Sequence, residues 1–156
     1  MEEQKIEPSR ESKVTLREVT EDTVRAICRL SVTERQNNFV ASNAVSIAQA
    51  YFNKFAWFRA VYADEEPVGF IMLYDNAEKP EYFLWRMMTE ARYQGMGFGR
   101  RAMELLIGYV RTRPGATELI TSCVQGDGSP QGFYEKLGFV LTGEKEDEEV
   151  LLKLVL

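Results

Sequence analysis

Apolar residues recur along the chain in two rhythms, and each change of rhythm marks an element. Alternation at 14–19, with Val14 and Leu16 against an outward Arg17, predicts a short strand. Strand-like runs at 58–63 and 68–74 flank Asp64-Glu65-Glu66-Pro67, a turn composition, and predict an antiparallel hairpin; 82–89 gives a third successive strand. A further strand is expected at 119–124, and a closing hairpin of 139–142 and 150–154 across the acidic segment 144–149. The helical rhythm appears four times. Thr20 stands as N-cap before Glu21 and Asp22 and a helix to about Leu30, and Ser42 caps a helix over 43–55 whose apolar side is Val45, Ile47, Ala48, Tyr51, Phe52 and Phe55. Ala102, Met103, Leu105, Leu106, Ile107, Tyr109 and Val110 form a broad buried face that ends at Arg113-Pro114-Gly115; a short helix over 131–137 stops at Gly138. With no internal repeat and no linker, the expectation is one α/β domain over 14–156. Its mixed sheet has six to seven strands, four helices flank it, and a loose polar tail (1–13) precedes it.

Composition narrows what such a domain can do. At 156 residues, 45% hydrophobic and 12% aromatic, the chain can build a real core. Its net charge of −5 disfavours nucleic acid as a partner and mildly favours cationic ligands. Cys28 and Cys123 are far apart in apolar surroundings, which suits reduced core thiols. The absence of His removes the commonest neutral-pH base and the commonest metal ligand, so no metal is expected. No apolar run reaches the roughly 18 residues of a membrane span, and 1–13 is too polar for a signal peptide. The expected location is cytoplasmic, with no membrane partner; a homodimer is compatible with this reading.

The chemistry concentrates at Gln94-Gly95-Met96-Gly97-Phe98-Gly99-Arg100-Arg101, where three alternate glycines separate a strand from a helix. Glycine accepts positive φ and close approach, and a helix's first turn offers unpaired N–H groups, so the junction reads as an anion site. The spacing G-x-G-x-G is not the G-x-G-x-x-G of a dinucleotide fold, and Arg100-Arg101 replaces the Lys-Ser/Thr of a P-loop. Gln94-x-x-Gly97-x-Gly99 resembles the Q/R-x-x-G-x-G/A loop of the GNAT superfamily of acyl-CoA-dependent N-acyltransferases. About 40 residues further on, Phe133-Tyr134-Glu135-Lys136-Leu137-Gly138-Phe139 is similar to that superfamily's F-Y-x-x-x-G-F segment. Phe39-Val40-Ala41-Ser42-Asn43, Val68-Gly69-Phe70, Leu84-Trp85-Arg86-Met87-Met88 and Gly126-Asp127-Gly128-Ser129-Pro130 resemble its bacterial diamine and spermidine/spermine branch.

The resemblance implies acetyl-CoA as co-substrate, its pyrophosphate on the amides of Gln94, Gly95, Met96, Gly97, Phe98, Gly99 and Arg100. It places the pantetheine along Met87, Met88 and Thr89 and makes Tyr134 the phenol facing the sulfur. The implied acceptor is a primary amine of a small molecule, polyamine or diamine first, attacking directly in a ternary complex. Protein N-terminal or lysine acetylation and a non-catalytic acyl-CoA-binding module are the rival readings. Strand alternation puts Glu81, Phe83, Trp85, Met87 and Thr89 on one face, which makes Glu81 the candidate base, ahead of Asp75 and Glu78. A base is needed because an ammonium of pKa about 10.4 must lose its proton, at a cost of about 4 to 5 kcal/mol at neutral pH. Glu65 and Glu66 add charge that would draw a polycation, and Trp57, Phe58, Tyr62, Tyr74 and Trp85 are candidate walls for an alkyl chain.

Overall fold

A computed structural model describes residues 6–37 and 39–156. In chain order the elements are β1 (Val14–Arg17), α1 (Val24–Arg29), α2 (Asn43–Tyr51), β2 (Ala56–Ala63), β3 (Glu66–Asn76), β4 (Glu81–Thr89), α3 (Phe98–Arg111), β5 (Glu118–Val124), α4 (Gln131–Lys136), β6 (Val140–Glu146) and β7 (Glu149–Val155), with single 3-10 turns at Glu34–Gln36 and Ala91–Tyr93. The strands form one sheet of seven in the order β1-β2-β3-β4-β5-β7-β6. Neighbours run antiparallel except β4 and β5, which are parallel and share only the pairs Phe83↔Ile120 and Leu84↔Thr121. Past Leu84 these two strands part, and the gap is the seam on which the rest of the molecule is arranged.

Each face of the sheet has its own core. Ile71, Leu73, Tyr82, Leu84, Leu119 and Leu152 meet the buried side of α3 (Phe98, Ala102, Met103, Leu106, Ile107, Val110) and Tyr134 of α4. On the other face Ala60, Phe70, Met72 and Met88 meet Ile27 of α1 and the half-buried Ile47 and Ala50 of α2. The α3 residues recur every three to four positions, so one stripe is withdrawn from water; each large side chain contributes about 1.5–3 kcal/mol.

The two early helices are shorter than their periodicity suggests. Thr20 does not cap α1 directly: its carbonyl accepts from the N–H groups of Thr23 and Val24. The Thr23 hydroxyl turns back to Thr20 N at 2.9 Å, and α1 starts only at Val24. Ser42 does cap α2, accepting from Val45 N at 3.2 Å. That helix stops at Tyr51 rather than 55, because Asn53 Oδ1 accepts from Phe55 N and turns the chain into β2. Tyr51 and Phe52, expected on the apolar side, are each 85% exposed. Of the segment read as a tail, residues 1–5 lie outside the described residues. Residues 9–13 are fastened by a Ser9 to Ser12 turn, by Lys13 N on Asp64 and by Arg101 Nη1 on the Ser12 carbonyl at 2.6 Å. Among the described residues no helix is long and apolar enough to cross a membrane.

Candidate active site

The glycine run forms a tight passage from β4 into α3. Gly97, at φ 83°, is the residue before the helix and carries no capping side chain, so the first amides of α3 are left without a local acceptor. Arg101 N already bonds the Gly97 carbonyl, which fixes the direction of that first turn. The Gln94 side chain braces the loop. Its amide nitrogen donates to the Thr89 carbonyl at 2.9 Å and to Gln36 Oε1 at 2.7 Å, tying the loop to β4 and to the 3-10 turn at Glu34–Gln36. Gly99 works by close approach: a Cβ there would stand 3.3 Å from both Met87 Cε and Thr89 Oγ1. Arg100 is exposed and paired with Glu104 at 3.2 Å, whereas Arg101 is spent on the carbonyls of Ser12, Met96 and Gly97.

A cleft of about 790 Å³ runs from this turn into the gap between β4 and β5. Met87, Met88, Thr89, Gln94, Gly95, Gly97, Phe98, Gly99, Arg100 and Tyr134 all line it, so the structure brings nearly the whole expected donor set together. Met96 is off the lining, half-buried against the core. From Trp85 onward the edge of β4 facing β5 has no ladder partner in β5, leaving backbone groups open to the cleft.

The bulge in β4 decides which side chains face each side of the cleft. Met72 pairs with Arg86 but Leu73 pairs with Leu84, so Trp85 is an extra residue and the alternation slips there. Glu81, Phe83, Trp85, Met87 and Thr89 therefore do not share one face as strict alternation predicts. Met87 packs with the α3 core, and Trp85 with the α1 and α2 core. Tyr134, Cys123 and Met87 belong to the first side; Trp85, Arg86 and Met88 to the second.

Tyr134 is buried between Phe133 and Phe139, with ring centroids 5.6 Å away on either hand. Burial drives its phenol well above the ordinary tyrosine range, partly offset by a hydrogen bond with Thr121, whose hydroxyl donates to the Leu84 carbonyl. The group thus faces the cleft as a neutral O–H. Cys123, a free buried thiol nearby, is also pushed up by burial.

The structure does not bring Glu81 to Tyr134. It is exposed, 3.7 Å from Lys79, and lines a second cavity under Pro80. Six residues of strand, about 20 Å at 3.3 Å per residue, separate it from Met87. Asp75 and Glu78 are engaged elsewhere. Asp75 accepts from the Tyr109 hydroxyl at 2.6 Å and Arg113 Nε at 2.9 Å, and Glu78 pairs with Lys54. Trp57 stacks on Tyr109 at 4.6 Å, so it is a core residue rather than a cleft wall. The carboxylates that do line the cleft are Glu146 and Glu149, from the β6–β7 hairpin. Glu149 accepts from Ser122 Oγ at 3.4 Å. Their sequence reads as a solvated acidic turn; only the pairing of Val124 with Glu149 discloses their place.

The sequence model of the acetyltransferase (GNAT) family matches residues 20–139, a span holding the sheet gap, the glycine turn and Tyr134. The chain belongs to this family. It is 26% identical over 148 residues to the spermine/spermidine N(1)-acetyltransferase of Bacillus subtilis, an alignment covering 90% of this chain and 97% of that one. Among solved structures, the PaiA N-acetyltransferase of Thermoplasma acidophilum in complex with coenzyme A superimposes with a TM-score of 0.64 at 16% identity, over 92% of this chain and 99% of that one. The ribosomal-protein-S18-alanine N-acetyltransferase of Escherichia coli gives 0.70 at 16%, over 92% and 94%. The protein is thus an acetyl-CoA-dependent N-acetyltransferase with the GNAT fold. Its own residues fit that co-substrate: uncapped helix amides for a pyrophosphate, an open strand edge for an amide-bearing arm, and a neutral phenol at the gap.

Proposed function

We propose that the protein transfers the acetyl group of acetyl-CoA to a primary amine of a small molecule, a diamine or polyamine, by direct attack within a ternary complex. The observation carrying this reading is the two-sided cleft. The glycine turn and Tyr134 belong to the α3 side of the sheet, and Glu149 with Trp85 to the α2 side, across the gap where β4 and β5 part.

Acetyl-CoA supplies an activated acyl thioester. The first-turn amides of α3 hold its pyrophosphate, with Arg100 adding charge at the rim. Amide N–H groups of β4 near Met87 stabilise negative charge developing on the thioester oxygen, so no side chain is required for that task. Glu149, on the acceptor side, receives the ammonium proton directly or through one water, a role that the position of Glu81 does not suit. Tyr134 donates a hydrogen bond to the departing thiolate. Even an ordinary phenol of pKa near 10 would give up its proton to a thiolate of pKa near 8.5 only uphill, by about 2 kcal/mol. Burial of Tyr134 raises that cost. Its part is therefore stabilisation, with solvent relaying the final proton.

The similarity to a spermine/spermidine acetyltransferase favours a polyamine or diamine acceptor, and Glu146 and Glu149 supply matching negative charge. Free-thiol release with acetyl-CoA and a panel of spermidine, spermine, putrescine and amino acids, set against N-terminal and lysine peptides, tests the assignment. Turnover is expected with the small amines. Turnover confined to peptides would replace the reading, and tight acetyl-CoA binding with no turnover would make the protein a binding module.

A further inference from the structure

Arg86 is an anomaly on the acceptor side. The β4 bulge turns it toward α2, where it is half-buried and lines the cleft. Its hydrogen-bond partners are both neutral: Nη1 donates to the Trp85 carbonyl at 3.0 Å and Nη2 to Gln49 Oε1 at 3.2 Å. Its Nε is buried with no hydrogen-bond partner. Among the described residues no carboxylate forms an ion pair with it, although Glu149 influences it from a distance. Guanidinium groups withdrawn from water are ordinarily matched by a carboxylate or phosphate, and an unmatched one calls for an explanation. Gln49 and the Trp85 carbonyl orient this one without neutralising it.

We propose that Arg86 is a specificity-determining residue that binds a carboxylate on the acceptor, so that the amine acetylated is of the diamino-acid class. This rests on the small-amine reading above and narrows its acceptor from a bare polyamine to a diamine that carries a carboxylate. A guanidinium is a fixed cation whose planar N–H edge matches a carboxylate, and Glu146 and Glu149 in the same cleft suit an ammonium. On the acceptor side, away from Arg100, one cation and two carboxylates suit a zwitterion carrying a second amine. A bare polycation would set one of its charges against Arg86. A phosphate of acetyl-CoA is the poorer match: Arg86 lies three residues, about 10 Å, up the strand from Thr89 and on the opposite face from the α3 turn.

The test uses acceptor pairs differing only by the carboxylate: ornithine with putrescine, and lysine with cadaverine. Wild-type protein is expected to favour the carboxylated member. In R86Q, the KM of that member should rise about 10- to 100-fold, the scale of a lost charged hydrogen bond, with kcat little changed. The bare diamine should be unaffected or improve, R86K should retain part of the preference, and acetyl-CoA affinity by calorimetry should be unchanged. Equal losses on both members, a wild-type preference for the bare diamine, or weakened acetyl-CoA binding would each overturn the assignment while leaving small-amine acetylation standing. No turnover of any pair member or polyamine by the wild type would overturn both.

Discussion

Tyr134 was readable from its motif, but the motif says nothing of its protonation. A lone phenol in water titrates near 10; enclosed by Phe133 and Phe139 it stays neutral well beyond that. Tyr134→Phe is expected to lower kcat by about a hundredfold or more, the scale of a positioned proton donor, with the KM for acetyl-CoA within a few-fold. Unchanged thiol release would remove it from the mechanism. The pH profile follows from the same burial. Activity should climb as the amine loses its proton, with no falling limb from Tyr134 below about pH 10. A descending limb between pH 7 and 9 that vanishes in Tyr134→Phe would contradict this. Tyr109 carries a similar consequence for stability. Burial, then its hydrogen bond to Asp75, raises its phenol to about 12. Because the folded value lies above the unfolded one, this contribution is complete below about pH 10 and is lost as pH rises toward 12. Asp75→Asn should lower stability by about 1–3 kcal/mol in urea, by weakening the bonds from Tyr109 and Arg113, and leave kcat unchanged. The proposed base was the illegible residue. Glu149 sits in a run of acidic residues that looks solvated, and a strand pairing 25 residues away gives it a cleft to face.

At the scale of elements, the strand, glycine turn and helix order was legible because glycine spacing and a helical stripe are local signals. Gly97→Val forces a β-branched residue into left-handed backbone and crowds the anion site. Acetyl-CoA affinity by calorimetry should fall at least tenfold, while thermal unfolding stays cooperative at a cost of about 1–2 kcal/mol. Retained affinity would count against the turn as the phosphate cradle. Two features escaped periodicity. A bulge adds one residue to β4 without leaving a mark in the sequence pattern, so the consecutive Trp85 and Arg86 fall on the same side. The end of α2 is set by the Asn53 turn, a side-chain bond that competes with a continuing apolar pattern.

For the molecule as a whole, the sheet's one parallel pair is the feature that organises function. Sequence pattern counts strands but does not say where two neighbours separate, and the parting of β4 from β5 after Leu84 turns a glycine turn and a buried phenol into one site. It also underlies the proposed division of labour, with the α3 side for the donor and the α2 side, with Arg86 and the two hairpin carboxylates, for the acceptor. Direct transfer across that gap predicts no acetylated enzyme, even with Cys123 in the lining. Mass spectrometry of protein and amine together, after incubation with acetyl-CoA, tests this most directly. An acetyl group is expected on a primary amine of the small molecule, in step with thiol release, with the protein chain unmodified. Acetyl found on Cys123, or thiol release with no acetylated amine, would contradict it.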